Sequence, residues 1–331
     1  MLFCASLCNF VSILDTEAKS FAFSSYLRYP AVLMARIPKN RGIKKLEFGG
    51  RWTEVKLDVL EKYLGAYTRI FATNLKARHF QTIYVDAFAG TGRISYLPNE
   101  QEDLFEHSRQ EYVKGSATRA LEVSPEFNRY IFIESNAARC AELNGLKSQF
   151  PEKERRIEIR NDDANQFLQE WCTKADWSTC RAVVLLDSFA MDVSWETIEA
   201  LAKTKGIDLW WLFPSSAFNR LLTTGAKPPA TWAKALTRAC GTPDWIRFYE
   251  ARKQDGLFGP IETEEKISGF DEINSFLRKR LESVFVRVAP PLYLKNSSNT
   301  PLFMLFFAAS NEKGAATGTK IANWIIKNSG S

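Results

Sequence analysis

The hydrophobic positions of this chain follow two periods, and the alternation between them lays out the elements. From Trp52 the run WTEVKLDVLEKYLGAYTRIF sets Val55, Val59, Tyr63, Tyr67 and Phe71 four residues apart, flanked by Leu60, Leu64 and Ile70. That spacing predicts an amphipathic helix, with Thr53 and Lys56 at its start, facing away from the row. TIYVDAFAG follows as a β-branched and aromatic run ending in small residues, the pattern of a buried strand entering a turn. RYIFIES, RIEIRND, RAVVLLDSF and DLWWLF repeat the strand signal, and GSATRALE, NAARCAELNGLKSQF, ANQFLQEWCTKA and SWETIEALAKT carry helical patterns between them. Strands that alternate with helices predict an α/β fold with a doubly wound, mostly parallel sheet, here of seven strands. FVRVAPPLYLK and PLFMLFFAAS, joined by the turn-rich NSSNT, read as a C-terminal antiparallel hairpin before a last helix in KGAATGTKIANWIIK. The stretch at about 220–269 reads as a helical insertion over the carboxyl edge of the sheet.

The core pattern begins at Trp52, so the chain divides into an N-terminal extension and basic arm at 1–51, expected to be poorly ordered, and one domain at 52–331. Met1 to Leu33 is rich in serine and aromatics and poor in acids, which suits either a leader or an extension upstream of a second start at Met34. The arm holds Arg36, Lys39, Arg41, Lys44 and Lys45, a set that serves equally for phosphate contact or as a solvated tail.

Composition changes this picture little. With 45% hydrophobic and 25% charged residues the chain is an ordinary globular one, neither fibrous nor disordered. A net charge of +6 suits a polyanionic partner such as nucleic acid and equally serves solubility. Six cysteines with no CxxC pair and only two histidines leave no zinc-ligand spacing, so no metal is expected and a reducing cytoplasm is the natural setting. No apolar run approaches the ~20 residues that span a bilayer, so no membrane association is expected.

Chemistry concentrates at four strand ends. In VDAFAGTG, Gly90 and Gly92 let backbone pass close to a ligand directly after a strand, with Asp86, Phe88 and Ala89 in the same turn. A carboxylate on the strand end and loop N–H groups can receive the ammonium and carboxylate of an amino-acid moiety. Ser95 stands where a dinucleotide fingerprint has its third glycine, which argues against pyrophosphate binding. Glu134 ends RYIFIES, where an acid can accept both ribose hydroxyls of an adenosine, and equally serves as a solvated strand-end residue. In RNDDANQFL, Asp162 or Asp163 could accept an adenine amine beside Ala164, and helix capping alone would also explain them. Asp187, Ser188 and Phe189 follow the most apolar strand, in LLDSFAMDVSW, where an acceptor would approach a sulfonium methyl in line.

Taken together, Thr53 and Lys56 on the first helix, DAFAGTG, KGSATRAL, FIES, DDANQFL, LLDSFAMDVSWETI, WWLFPSSAFNRLL and PLFMLFFAASN resemble the three-Cys-motif partner family in order and spacing. The resemblance spans nearly everything from Trp52 onward. It implies a Rossmann-like methyltransferase fold, S-adenosyl-L-methionine as cofactor, a bacterial or phage setting, and a partner protein that carries the three-cysteine motif and belongs beside a radical enzyme. It implies methyl transfer to a nucleic acid or modified base, with Asp187, Ser188 and Phe189 at the acceptor and Asp86, Phe88, Ala89, Gly90, Gly92, Glu134, Asp162, Asp163 and Ala164 on the cofactor. The family's fourth motif is D-P-[FY]-G, whereas this chain has Ser188 for proline and Ala190 for glycine, so a freer loop is expected there. The alternative is a non-catalytic partner of the same fold. A nicotinamide oxidoreductase fits least, since neither GxGxxG nor a tyrosine–lysine constellation stands out.

Overall fold

The computed structural model describes residues 51–95, 112–188, 190–223, 227–256, 259–266 and 269–329. They lie within a compact unit at Phe48–Ser331. Apart from Arg51, the arm anticipated at 1–51 lies outside the described residues.

The strands at the centre of the sheet are β1 (Gln81–Asp86), β4 (Arg129–Ile133), β5 (Ile157–Arg160), β6 (Cys180–Leu186) and β7 (Ile207–Phe213). β1, β4, β6 and β7 are mostly apolar runs, the signature of strands covered on both faces, whereas β5 at the edge alternates as Ile-Glu-Ile-Arg. β1 pairs in parallel with both β4 and β6, β4 with β5, and β6 with β7. From β1 the chain therefore builds one way to β4 and β5, then returns to build the other way through β6 and β7. The order reverses between β1 and β6, and in open parallel sheets ligands bind outside the carboxyl ends at such a switch point.

The far edge is antiparallel. β12 (Pro301–Ala309) runs against β7 on one side and against β10 (Arg287–Val288) and β11 (Leu292–Lys295) on the other. Sequence patterning predicted seven strands; the sheet has eight because Pro290 and Pro291, which cannot donate to the ladder, split one edge run into β10 and β11. The result is a mixed α/β fold with a mostly parallel sheet.

Each face carries its own core. One is closed by α1 (Arg51–Thr73), α2 (Ser116–Glu122), the short α3 (Ala137–Leu143) and α4 (Gly145–Gln149), and α10 (Ala315–Lys327). The other is closed by α5 (Ala164–Lys174), α6 (Trp195–Lys203), α7 (Ser215–Leu221), α8 (Ala230–Cys240) and α9 (Phe270–Glu282). α1 buries Val59, Tyr63 and Tyr67 of the expected row, and Thr53 and Lys56, off that row, are buried too. The segment expected to be a helical insertion holds α8 and also a two-stranded hairpin, β8 (Tyr249–Gly256) with β9 (Gly259–Lys266). Its sequence is polar at nearly every position, so it gave no period-2 signal. A second small pair, β2 (Arg93–Ser95) with β3 (Tyr112–Lys114), follows the glycine loop. Among the described residues no helix is long and apolar enough to cross a membrane.

Candidate functional site

β1 and β6 end side by side, with Asp86 in register with Leu185, and each strand delivers a carboxylate to the switch point. Asp86 is fully buried; its Oδ2 accepts a 2.5 Å hydrogen bond from Ser116 Oγ at the start of α2, and its Oδ1 accepts from Phe88 N at 3.3 Å. Burial pushes its carboxyl pKa up to about 7, against the opposing pull of the Ser116 hydroxyl, and the nearby Asp187 charge adds to the rise.

The loop after Asp86 is held at both ends and open in the middle. Ala89 N donates to Ile133 O at 3.0 Å, while the Gly92 carbonyl accepts from Gly115 N at 3.2 Å and Thr118 Oγ1 at 2.9 Å. Gly90 has φ +60°, and among the described residues a Cβ there would meet nothing within 4 Å, so the left-handed turn leaves room beside it. Gly92 has φ +73°, and a Cβ there would lie 3.1 Å from Leu143 Cδ1. It is needed for packing as well as for the turn. Phe88 packs into the core.

Glu134 is buried at the tip of β4, the strand beside β1, and its Oε1 accepts from Asn136 N at 2.8 Å. Asp163 caps α5 by accepting from Gln166 N at 3.0 Å, Asp162 accepts from Asp163 N at 2.8 Å, and Ala164 is buried. Both aspartates are exposed at the end of β5 and already serve local hydrogen bonds.

Asp187 is not a bare strand-end carboxylate. Its Oδ2 takes a 2.5 Å ion pair from Lys56 Nζ on α1, with the two side chains 11% and 4% exposed, and its Oδ1 is buried without a hydrogen-bond partner. Lys56 is the residue whose role sequence reasoning missed. A lysine off the apolar row reads as solvated, and only the docking of a second face of α1 buries it.

The loop after β6 is tied down where the missing proline predicted freedom. Ser188 Oγ donates to Asp192 Oδ2 at 2.6 Å and accepts from Ala190 N at 3.3 Å, closing a turn of the kind hydroxyls favour. From outside, Asn165 Nδ2 and Arg238 Nη2 both donate to Asp192 O, at 2.9 and 2.5 Å. Phe189 lies outside the described residues. Beside this loop Ala190, Met191, Val193, Trp211, Phe213, Pro214 and Ala239 line a shallow apolar depression.

No protein-family model matches the chain, and no curated protein does either. Among solved structures it is similar to protein LPL1258 of Legionella pneumophila, described as DUF519, at 12% identity and a TM-score of 0.47, over 86% of this chain and 95% of that one. It is also similar to an S-adenosylmethionine-dependent methyltransferase of Clostridium acetobutylicum, at 12% identity and a TM-score of 0.32, over 77% and 92% of the two chains. A third likeness, to the N-terminal domain of EvdMO1 with SAH bound, has 11% identity and a TM-score of 0.34, over 76% and 80%. All three fall below a TM-score of 0.5, so what the site can do is read from its own geometry.

Proposed function

We propose that this chain is an S-adenosylmethionine-dependent methyltransferase acting on an amine of a nucleic acid or modified base, in a bacterial or phage setting. The observation that carries the reading is the pair of carboxylates, Asp86 and Asp187, at the switch point, with the open glycine turn between Asp86 and Glu134.

The residues present fit such a cofactor. Asp86 offers a carboxylate to an ammonium group, the turn at Gly90 leaves room for backbone to approach a ligand, and Glu134 stands where ribose hydroxyls are bound in parallel sheets. When bound, S-adenosylmethionine would supply an electrophilic methyl group for an acceptor nitrogen. Asp187 accepts the hydrogen bond, and then the proton, of that nitrogen; the braced loop at 188–192 keeps it in place.

A second reading, a non-catalytic partner supporting a three-cysteine radical protein, is favoured by one observation: Asp187 is already paired with Lys56. Titration with S-adenosylmethionine, S-adenosylhomocysteine and NAD, followed by labelled methyl transfer into RNA, DNA and protein extracts, separates these. Methylation of nucleic acid supports the first reading, cofactor binding without transfer the second, and NAD binding neither.

A further inference from the structure

The Lys56–Asp187 pair is costly and, as an anchor for α1, redundant. Removing two ions from water costs several kcal/mol each before their attraction offsets it, and apolar side chains of similar volume commonly pack there as well or better. α1 is already fixed by Val59, Leu60, Tyr63 and Leu64 in the core. On its outer side Arg119 of α2 reaches Glu54, Asp58 and Glu61 at 2.6, 2.6 and 3.0 Å.

The pair is also asymmetric. Lys56 Nζ donates to Oδ2, while Oδ1 lies out of water with no donor among the described residues, a group whose desolvation is uncompensated until a ligand brings an N–H or O–H. Beyond Asp187 the chain is tied at Asp192, whose Oδ2 accepts from Ser188 Oγ and whose backbone O accepts from Asn165 and Arg238. Lys56 is confined in turn, with its ammonium 5.6 Å from the centroid of Trp52, whose ring stacks on Phe303 at 4.9 Å.

We propose that Lys56 is a positioning residue of the acceptor site, holding Asp187 Oδ2 so that Oδ1 is presented to the N–H of the methyl acceptor. This rests on the methyltransferase reading above, and it makes α1 part of the site. It also names the acceptor chemistry as an amine that donates a hydrogen, in preference to a carbon or thiolate nucleophile.

The test uses the full chain with Lys56→Arg, Lys56→Met and Lys56→Met/Asp187→Asn, measuring urea midpoint, S-adenosylmethionine affinity, and kcat and KM for labelled methyl transfer into total RNA and DNA. A guanidinium keeps the charge but its fork takes both carboxylate oxygens. Lys56→Arg should therefore keep the urea midpoint and hold cofactor affinity within about threefold, while kcat falls on the order of 10²-fold. Lys56→Met should lower the urea midpoint, and the double variant should restore it without restoring turnover. A pair that only holds the fold would let Lys56→Arg turn over at the wild-type rate, and that result would overturn the proposal. So would wild-type protein that binds the cofactor but methylates neither nucleic acid. Wild-type protein that fails to bind S-adenosylmethionine would sink the methyltransferase reading itself.

Discussion

Replacing Asp86 with asparagine should make the protein more stable above neutral pH and worse at holding its cofactor. The carboxyl is fully buried, and burial lifts it from an ordinary 3.8 to about 7. Between those values the folded state holds a proton that the unfolded state has lost, so stability falls as pH rises through the window and is lowest above about pH 7. At roughly 1.4 kcal/mol for each factor of ten, the full cost reaches about 4 kcal/mol as an upper bound. Asparagine carries no charge and can still accept from Phe88 N, so it removes most of this cost. The expected gain is near zero at pH 4 and about 2–4 kcal/mol at pH 8. Urea unfolding of both proteins at pH 4, 6 and 8 reads it directly. Losing a charged hydrogen bond to the cofactor's ammonium should weaken S-adenosylmethionine binding by about 10- to 100-fold at pH 8. A stability difference that does not grow with pH would refute the burial argument, and unchanged affinity would remove Asp86 from the site.

Tyr63 donates to the half-buried Asp208 at 2.6 Å, and desolvation already raises that carboxyl to about 6. Tyr63→Phe withdraws the bond that opposes the rise, so it should cost about 1–3 kcal/mol at pH 8 and less at pH 5 in the same urea assay. Gly90→Ala should cost about 1 kcal/mol for its left-handed φ, read from the thermal midpoint, and weaken cofactor binding measurably by calorimetry. Gly92→Val should be worse in stability than Gly90→Ala, because its Cβ meets Leu143 and Leu146; equal midpoints would contradict that packing. Ser188→Ala should speed amide exchange across 187–194, and unchanged exchange would mean that Asn165 and Arg238 suffice.

The central strands and the glycine loop were legible because a strand covered on both faces is written in its own apolar run, and because φ above zero after a strand asks for glycine. The helix over 270–282 was not read, although Ile273, Phe276, Leu277 and Leu281 keep helical spacing within its strongly charged sequence. Lys56 was placed on the right helix and off the apolar row, but its burial was not read. Its burial depends on where β6 ends relative to α1, a separation of 131 residues in sequence that no local period encodes. Ser188 shows the same limit in miniature. Loss of a proline is visible in the sequence, but the hydroxyl's bond to Asp192 replaces ring rigidity with a side-chain contact that depends on the loop's shape.

The proline pair that divides β10 from β11 sits on the open edge of the sheet. A long edge strand with a full row of outward N–H groups is a template on which another chain can lay down a strand. Here two consecutive residues offer no donor and interrupt that row at its middle, so an incoming strand finds only short ladders on either side. The wall of β12 behind it is almost wholly apolar, from Phe303 to Ala309, and is the segment of the chain with most to lose from such pairing. The prolines thus leave that edge a poor template for an added strand.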